Sequence, residues 1–234
     1  MLKKNKSLLA AAFSSATAKQ VALLGMPPLL LGSTRFVYQR LVARFGLKRG
    51  YFGGFLFYWV FWCLLVPLWM LGGPRRLPEP LKEAKVGRLA QVDLLLLAVP
   101  PLIGYLFAFP RALRRSNPPI ILASAAIALV NATAEELLWR GTYRAAFPNR
   151  FVLGYLYPSA GFAVWHLAPQ SVVPSRYPGG AVSYVISSGV FGLLWGRVAA
   201  RTGSIRWTVL SHVLLDFSGL GAHIYFDNGG YDER

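Results

Sequence analysis

Five side chains stand out because of where they lie. Glu135, Glu136, His166, His212 and Asp216 all fall inside long apolar stretches, and Arg140 follows Glu136 by four residues. An ionisable group in such a stretch is costly to bury and marks a functional site by default. Helical geometry sorts the set. At about 100° per residue, Glu136 and Arg140 share one face and can pair, whereas Glu135 is rotated by about 100° from its neighbour and points elsewhere. The spacing therefore predicts a division of labour, with Glu136 held by Arg140 and Glu135 left to face a cavity. Phe162 and His166 are also four apart, as are His212 and Asp216. A carboxylate at that distance can accept from an imidazole N–H and fix its tautomer, while Phe162 reads as packing beside His166. Carboxylate plus histidine suits water activation: the carboxylate takes a proton and a histidine holds the water or shuttles the proton. A second histidine can donate to a developing oxyanion. The same Glu135, His166, His212 and Asp216 also make a plausible zinc shell of nitrogen and oxygen donors. Packing glue explains one Glu–Arg pair, but five such residues on three separate stretches are harder to explain that way.

The elements that must carry these residues follow from composition. Of 234 residues, 55% are hydrophobic and 15% charged, with a net charge of +16. That charged share is well below the usual ~25%. So much apolar surface excludes disorder, and the single cysteine, Cys63, excludes an internal disulfide and reads as a buried apolar residue. The basic residues sit between apolar runs rather than on a polar domain, which argues against a nucleic-acid partner. What remains is an all-α, polytopic membrane bundle of six to seven transmembrane helices. A span takes about 20 residues. The expected spans are residues 51–73, 94–110 (kinked by Pro100 and Pro101), 117–134 running into Glu135, 151–175, 177–196 and 207–225. Gly and Ser in residues 177–196 favour close helix packing.

Residues 7–31 read as a seventh span or an interfacial helix, with Lys19 and Gln20 at the middle. A cleaved signal is the alternative: Lys3, Lys4 and Lys6, an apolar run, then Ala16-Thr17-Ala18. The expected organisation is a basic N-terminal segment (1–50), two helices with a basic loop (51–117), a core (118–221) and a tail (222–234). Of the nine acids, Glu79, Glu83 and Asp93 are assigned to a loop or its border, and Asp227, Asp232 and Glu233 to the tail. The connections bearing Arg144 and Arg150, and Arg197, Arg201 and Arg206, are expected to be cytoplasmic, with the tail opposite. Flanks that are basic on both sides of residues 51–73 leave the orientation of the N-terminal half open.

Three short motifs carry a family resemblance. Glu135-Glu136-Leu137-Leu138-Trp139-Arg140 fits EExxxR, Phe162-Ala163-Val164-Trp165-His166 fits FxxxH, and His212-Val213-Leu214-Leu215-Asp216 fits HxxxD/N. In that order, on successive hydrophobic segments, they resemble the CPBP family, the CAAX prenyl protease and bacteriocin-processing intramembrane proteases also called Abi. The resemblance covers roughly residues 118–221 and implies a helical membrane fold, a water-accessible cavity and hydrolysis of a peptide bond near the membrane. It implies Glu135 as general base assisted by His166, His212 and Asp216 as the pair that stabilises the oxyanion, and Glu136 with Arg140 as support. One departure concerns Asp216, where the best-understood prenyl proteases have Asn: an amide donates a hydrogen bond and an ionised carboxylate does not. Asp216 is then expected to be protonated, to act through His212, or to bind a metal.

Other intramembrane protease signatures, HExxH, Gly-x-Ser-Gly and Gly-x-Gly-Asp, are missing from the sequence. His223 reads as interfacial, and Trp139 and Trp165 as packing. A non-proteolytic membrane scaffold and a proton-coupled transporter are the competing functions, although no inverted repeat supports transport. The expected partners are a peptide or lipidated peptide and the lipid bilayer. Short length without a soluble domain points to a bacterial inner (plasma) membrane.

Overall fold

A computed structural model describes residues 18–82, 89–176 and 178–226. The proposed signal stretch (residues 3–17), Glu83 and the acids of the tail lie outside the described residues. Seven principal helices occur, and no strand is found among the described residues: α1 (Ala18–Phe45), α2 (Leu47–Leu71), α3 (Gln91–Phe107), α4 (Pro118–Ala146), α5 (Tyr157–Trp165, entered through a π-helical turn at Val152–Leu156), α6 (Gly180–Thr202) and α7 (Arg206–Ser218). Four of them, α1, α2, α4 and α6, are long and apolar enough to cross a membrane, and α3 is a shorter apolar helix. The expected helical membrane bundle is thus the fold observed, with four long apolar helices and shorter ones packed beside them. At 1.5 Å per residue α7 is only about 20 Å long, because the chain turns at Ser204 before it and at Gly219–Leu220 after it. The outward faces remain apolar, with Leu122, Leu106 and Val182 among the most exposed large residues, as a lipid-facing surface requires.

The N-terminal helix continues unbroken to Phe45 and so includes Arg35, Arg40 and Arg44. It contains Pro27 and Pro28, which lack the N–H groups that would bond the carbonyls of Leu23 and Leu24. Those two carbonyls are met instead by the hydroxyls of Tyr143, at 2.8 Å, and Tyr157. The same exchange recurs in α3, which runs through Pro100 and Pro101. The carbonyl of Leu97, four residues before Pro101, accepts from Ser211 of α7 at 2.6 Å. Proline thus opens acceptors at membrane depth, and side chains from the core helices fill them.

α1 and α2 form a tight hairpin closed at Gly46, whose φ of 78° suits glycine. Lys19, at the start of α1, donates to the carbonyl of Trp69 at the end of α2 (2.8 Å), and Gln20 donates to Ala146 at the end of α4 (2.7 Å). These two residues tie three helix ends together rather than interrupting a span. α7 packs against α3 and α4, and α6 packs against α5. Gly189, Gly192 and Gly196 of α6 face Ala163, Phe162 and Tyr155, the close approach expected of that Gly-rich segment.

Asp93 lies at the loop border, as expected, in the first turn of α3. It is buried, its carboxylate accepts the N–H of Ala90 (2.8 Å) at the start of α3, and it pairs with Arg201 of α6 through both oxygens. Helix N-termini favour acids, and this one also clamps α3 to α6. At the same end of the bundle, the N–H of Ile205 donates to Pro80 (2.9 Å). Arg144, Arg150, Arg197 and Arg206 lie at this end. Arg44, Lys48, Arg49, Arg111, Arg114 and Arg115 lie at the other, where α7 finishes. Both ends are strongly basic, so Lys/Arg asymmetry does not orient the bundle.

Candidate active site

Glu135, Glu136 and Arg140 sit on α4 where its winding changes. The α-helix ends at Glu136 and a π-helical turn spans Leu137–Thr142. Such turns recur at functional sites because the extra residue re-aims the side chains around it. Glu136 is wholly buried and every contact it needs is present. Its Oε1 accepts from Arg140 Nη1 at 2.9 Å and lies 3.0 Å from His212 Nδ1, and its Oε2 is 2.8 Å from the Thr208 hydroxyl. A buried carboxylate with such partners is held rigidly. Glu135, next in the chain and equally buried, is treated differently. Its Oε2 lies 3.3 Å from Asn131 Nδ2 and 3.4 Å from His212 Nε2, and its Oε1 is buried with no hydrogen-bond partner. The Glu136–Arg140 pairing read from helical spacing is thus observed, and Glu135 turns to other partners.

His212 stands at the centre. The Glu136 carboxylate only accepts, so Nδ1 of His212 carries the proton between them. Nε2 then faces Glu135 Oε2 and, at 3.5 Å, Asp216 Oδ1. The imidazole is stacked on Trp195 of α6, with ring centroids 4.2 Å apart and planes at 21°. Trp195 is fixed in turn by its N–H to the Ser211 hydroxyl (2.8 Å). Asp216 is the open member of the cluster, its side chain 25% exposed against 1% for Glu135.

His166 caps the C-terminus of α5. Its Nδ1 is 2.7 Å from the carbonyl of Phe162, and since a carbonyl only accepts, Nδ1 donates and Nε2 keeps its lone pair. The Phe162 ring lies edge-on to both imidazoles, 4.8 Å from His166 and 5.8 Å from His212, with the Arg140 guanidinium 4.2 Å from its centroid. Phe162 is therefore more than filler: it spaces the two histidines and screens the Arg140 charge. Gly192 makes room for this arrangement, as a Cβ there would press on Arg140 Nη2 and Phe162 at 3.1 Å.

The structure thus brings Glu135, Glu136, Arg140, His212 and Asp216 into one connected cluster and links His166 to it through Phe162. Among the described residues, no group of three or more His, Cys, Asp or Glu side chains is arranged to hold a metal ion. Sequence reasoning missed Asn131, Thr208, Trp59 and Trp195. Two of these had a signal: Asn131 precedes Glu135 by four residues and Thr208 precedes His212 by four, the same spacing that exposed the motifs. Trp139 and Trp165 are packing residues, as expected. Trp139 donates to the Tyr58 hydroxyl at 3.0 Å, and Trp165 stacks on the Tyr58 ring. His223 is pinned to the Ser116 hydroxyl (2.8 Å) beyond the end of α7.

The fold and site are those of a helical membrane protein with a buried acid–histidine cluster. Residues 117–218, from the cap of α4 to the end of α7, match the family described as type II CAAX prenyl endopeptidase Rce1-like. The seven residues that define the motifs all lie within this stretch. No curated protein and no solved structure matches the chain. With its four long apolar helices, the chain is an integral membrane protein.

Proposed function

We propose that this protein is an intramembrane endopeptidase that cleaves a peptide bond near the membrane surface, with a prenylated C-terminal peptide or another membrane-proximal peptide as substrate. The observation that carries the reading is Oε1 of Glu135, a buried carboxylate oxygen without a partner beside a carboxylate whose oxygens are all engaged. An unused buried acceptor is costly, and a water molecule there would be held by the base that activates it. In this reading Glu135 removes a proton from the water as it attacks the scissile carbonyl. His166, with its Nε2 lone pair free, orients that water and carries the proton on to the leaving amine. His212, braced by Glu136 and Trp195 and carrying a proton on both ring nitrogens among the three carboxylates, donates its Nε2–H to the developing oxyanion, and Asp216 keeps that ring edge in place at the open side of the site. Glu136 and Arg140 hold the framework.

The test uses the purified full chain in detergent and a quenched-fluorescent peptide ending in a farnesylated Cys-aliphatic-aliphatic-X sequence, alongside peptide profiling of membranes carrying wild type or Glu135→Gln. Cleavage that depends on Glu135 and survives a chelator supports the reading. Equal peptide profiles for wild type and Glu135→Gln, with no cleavage of the probe, would overturn it. Cleavage lost to a chelator and restored by zinc would transfer water activation to a metal.

A further inference from the structure

We infer that Asn131 is the positioning residue of this site, holding the Glu135 carboxylate by one oxygen so that the other stays turned toward the reacting water; the inference rests on the protease reading above. Asn131 lies one turn before Glu135 on α4, and its amide has an unambiguous orientation. The indole N–H of Trp59 on α2 points at it from 2.8 Å. Indole is a donor only, so the atom it meets is the oxygen Oδ1. The nitrogen must then lie on the other side, where it meets two acids: Glu135 Oε2 at 3.3 Å and Asp216 Oδ2 at 2.9 Å. Both amide hydrogens are committed, one to each carboxylate.

The far edge of the same arrangement is His212 Nε2, 3.4 Å from Glu135 Oε2 and 3.5 Å from Asp216 Oδ1. Asn131, Asp216, His212 and Glu135 thus close a ring in which the two carboxylates are separated by two nitrogen groups. The consequence for Glu135 is an asymmetry. The terminal torsion of a Glu side chain is soft, so an unheld carboxylate would exchange its oxygens freely. Here two nitrogen groups face Oε2 and none faces Oε1, and the open oxygen keeps one direction. Trp59 supplies the outer fixing point, because without its N–H the amide can rotate and present an oxygen to two acids.

The experiment measures kcat and KM for the farnesylated peptide with purified Asn131→Ala, Asn131→Asp, Trp59→Phe and the double variant Trp59→Phe/Asn131→Ala, well below their melting temperatures, with Glu135→Gln as the blank. Misplacing a catalytic group by about 1 Å costs on the order of 100-fold in rate. Asn131→Ala and the isosteric Asn131→Asp are therefore expected to lose about that much kcat, with KM changed by no more than about twofold. Trp59→Phe is expected to lose about tenfold in the wild-type background and nothing further in the Asn131→Ala background, because it acts through the amide. If Asn131→Ala does not accumulate in folded form, Asn131→Asp and Trp59→Phe carry the test. Full kcat in folded Asn131→Asp while Glu135→Gln is dead would overturn the inference and leave the protease reading standing. Equal losses from Trp59→Phe in both backgrounds would overturn the anchoring by Trp59. If Glu135→Gln itself cleaves like wild type, both readings fall together.

Discussion

The α1–α2 hairpin and the α4–α7 core are held by opposite means. In the hairpin the helices touch through missing side chains: a Cβ at Gly50 would collide with the backbone of Val42, and one at Gly54 with the ring of Tyr38. Its polar contacts across the seam are isolated ones: Lys19 meets the last turn of α2 at the open end, and Trp62 donates to the Ser33 hydroxyl midway along. In the core the contacts at the centre are polar, and Glu136 alone engages Arg140, His212 and Thr208. The difference teaches where function can reside. Shape holds the seam between α1 and α2, so a change on that seam costs stability and little else; Trp59, on the side of α2 that meets α4, works with the core. A polar network holds the core, so its members divide into those that keep the fold and those the fold leaves unfinished.

The sharpest way to break that division lies in two adjacent residues. Glu135→Gln is expected to reduce cleavage by about 10³-fold, within the range for loss of a general base, while the melting temperature in detergent stays near wild type, since the amide can still meet Asn131 and His212. Glu136→Gln is expected to act on the fold. It leaves Arg140, at 3% exposure, as a buried cation without its carboxylate, a loss of about 3–5 kcal/mol seen as a lowered melting temperature and poor accumulation. If Glu136→Gln melts like wild type, the supporting role assigned to that carboxylate is wrong.

These two residues also mark how far sequence reasoning reaches. Their opposite treatment was legible because helix rotation is fixed by covalent geometry, and Arg140 at four residues could serve only one of them. The apolar stretches, the Gly-rich packing of α6 and the order of the motifs were legible for similar reasons of local period. Other features depend on contacts distant in sequence. Asp93 reads as an acid at a loop border, and its pairing appears only when α6 brings Arg201 to it. Trp195 reads as an ordinary apolar residue until α7 lays His212 on its face. The length of α7 is set by turns at Gly203-Ser204 and Ser218-Gly219, glycine signals that the apolar run on either side outweighed in the sequence. Asn131 had the right spacing, but its partner Trp59 lies 72 residues away, and only that donor reveals which way the amide faces.

In the hairpin, Gly50→Ala is the matching test. The added methyl meets backbone rather than a movable side chain, so α1 and α2 must part, at a cost of about 1–3 kcal/mol for overpacking. Thermal melts should show the loss, and kcat per folded molecule should stay at the wild-type value. A drop in kcat equal to that of Glu135→Gln would place the hairpin inside the catalytic apparatus and dissolve the distinction between the regions.

The smallest expected effect lies at the junction between them. Tyr143 of α4 donates to the carbonyl of Leu23 in α1, the acceptor that Pro27 leaves open. Tyr143→Phe removes that donor and keeps the ring, so its stacking on Trp139 is preserved. The freed carbonyl then has neither a backbone N–H nor a hydroxyl, and the cost is about 1–3 kcal/mol. Melting should shift by less than in Glu136→Gln, and cleavage should be unchanged at temperatures where the protein is folded. The double variant with Pro27→Ala sharpens the point, because alanine restores the N–H that the helix lacks at that position. If the added N–H recovers part of the melting temperature lost in Tyr143→Phe, the tyrosine works as a replacement for a helix hydrogen bond, and the hairpin is welded to the core through a vacancy made by proline. If it recovers nothing, the loss in Tyr143→Phe does not come from the Leu23 carbonyl, and the tyrosine is no replacement for the helix hydrogen bond that Pro27 removes.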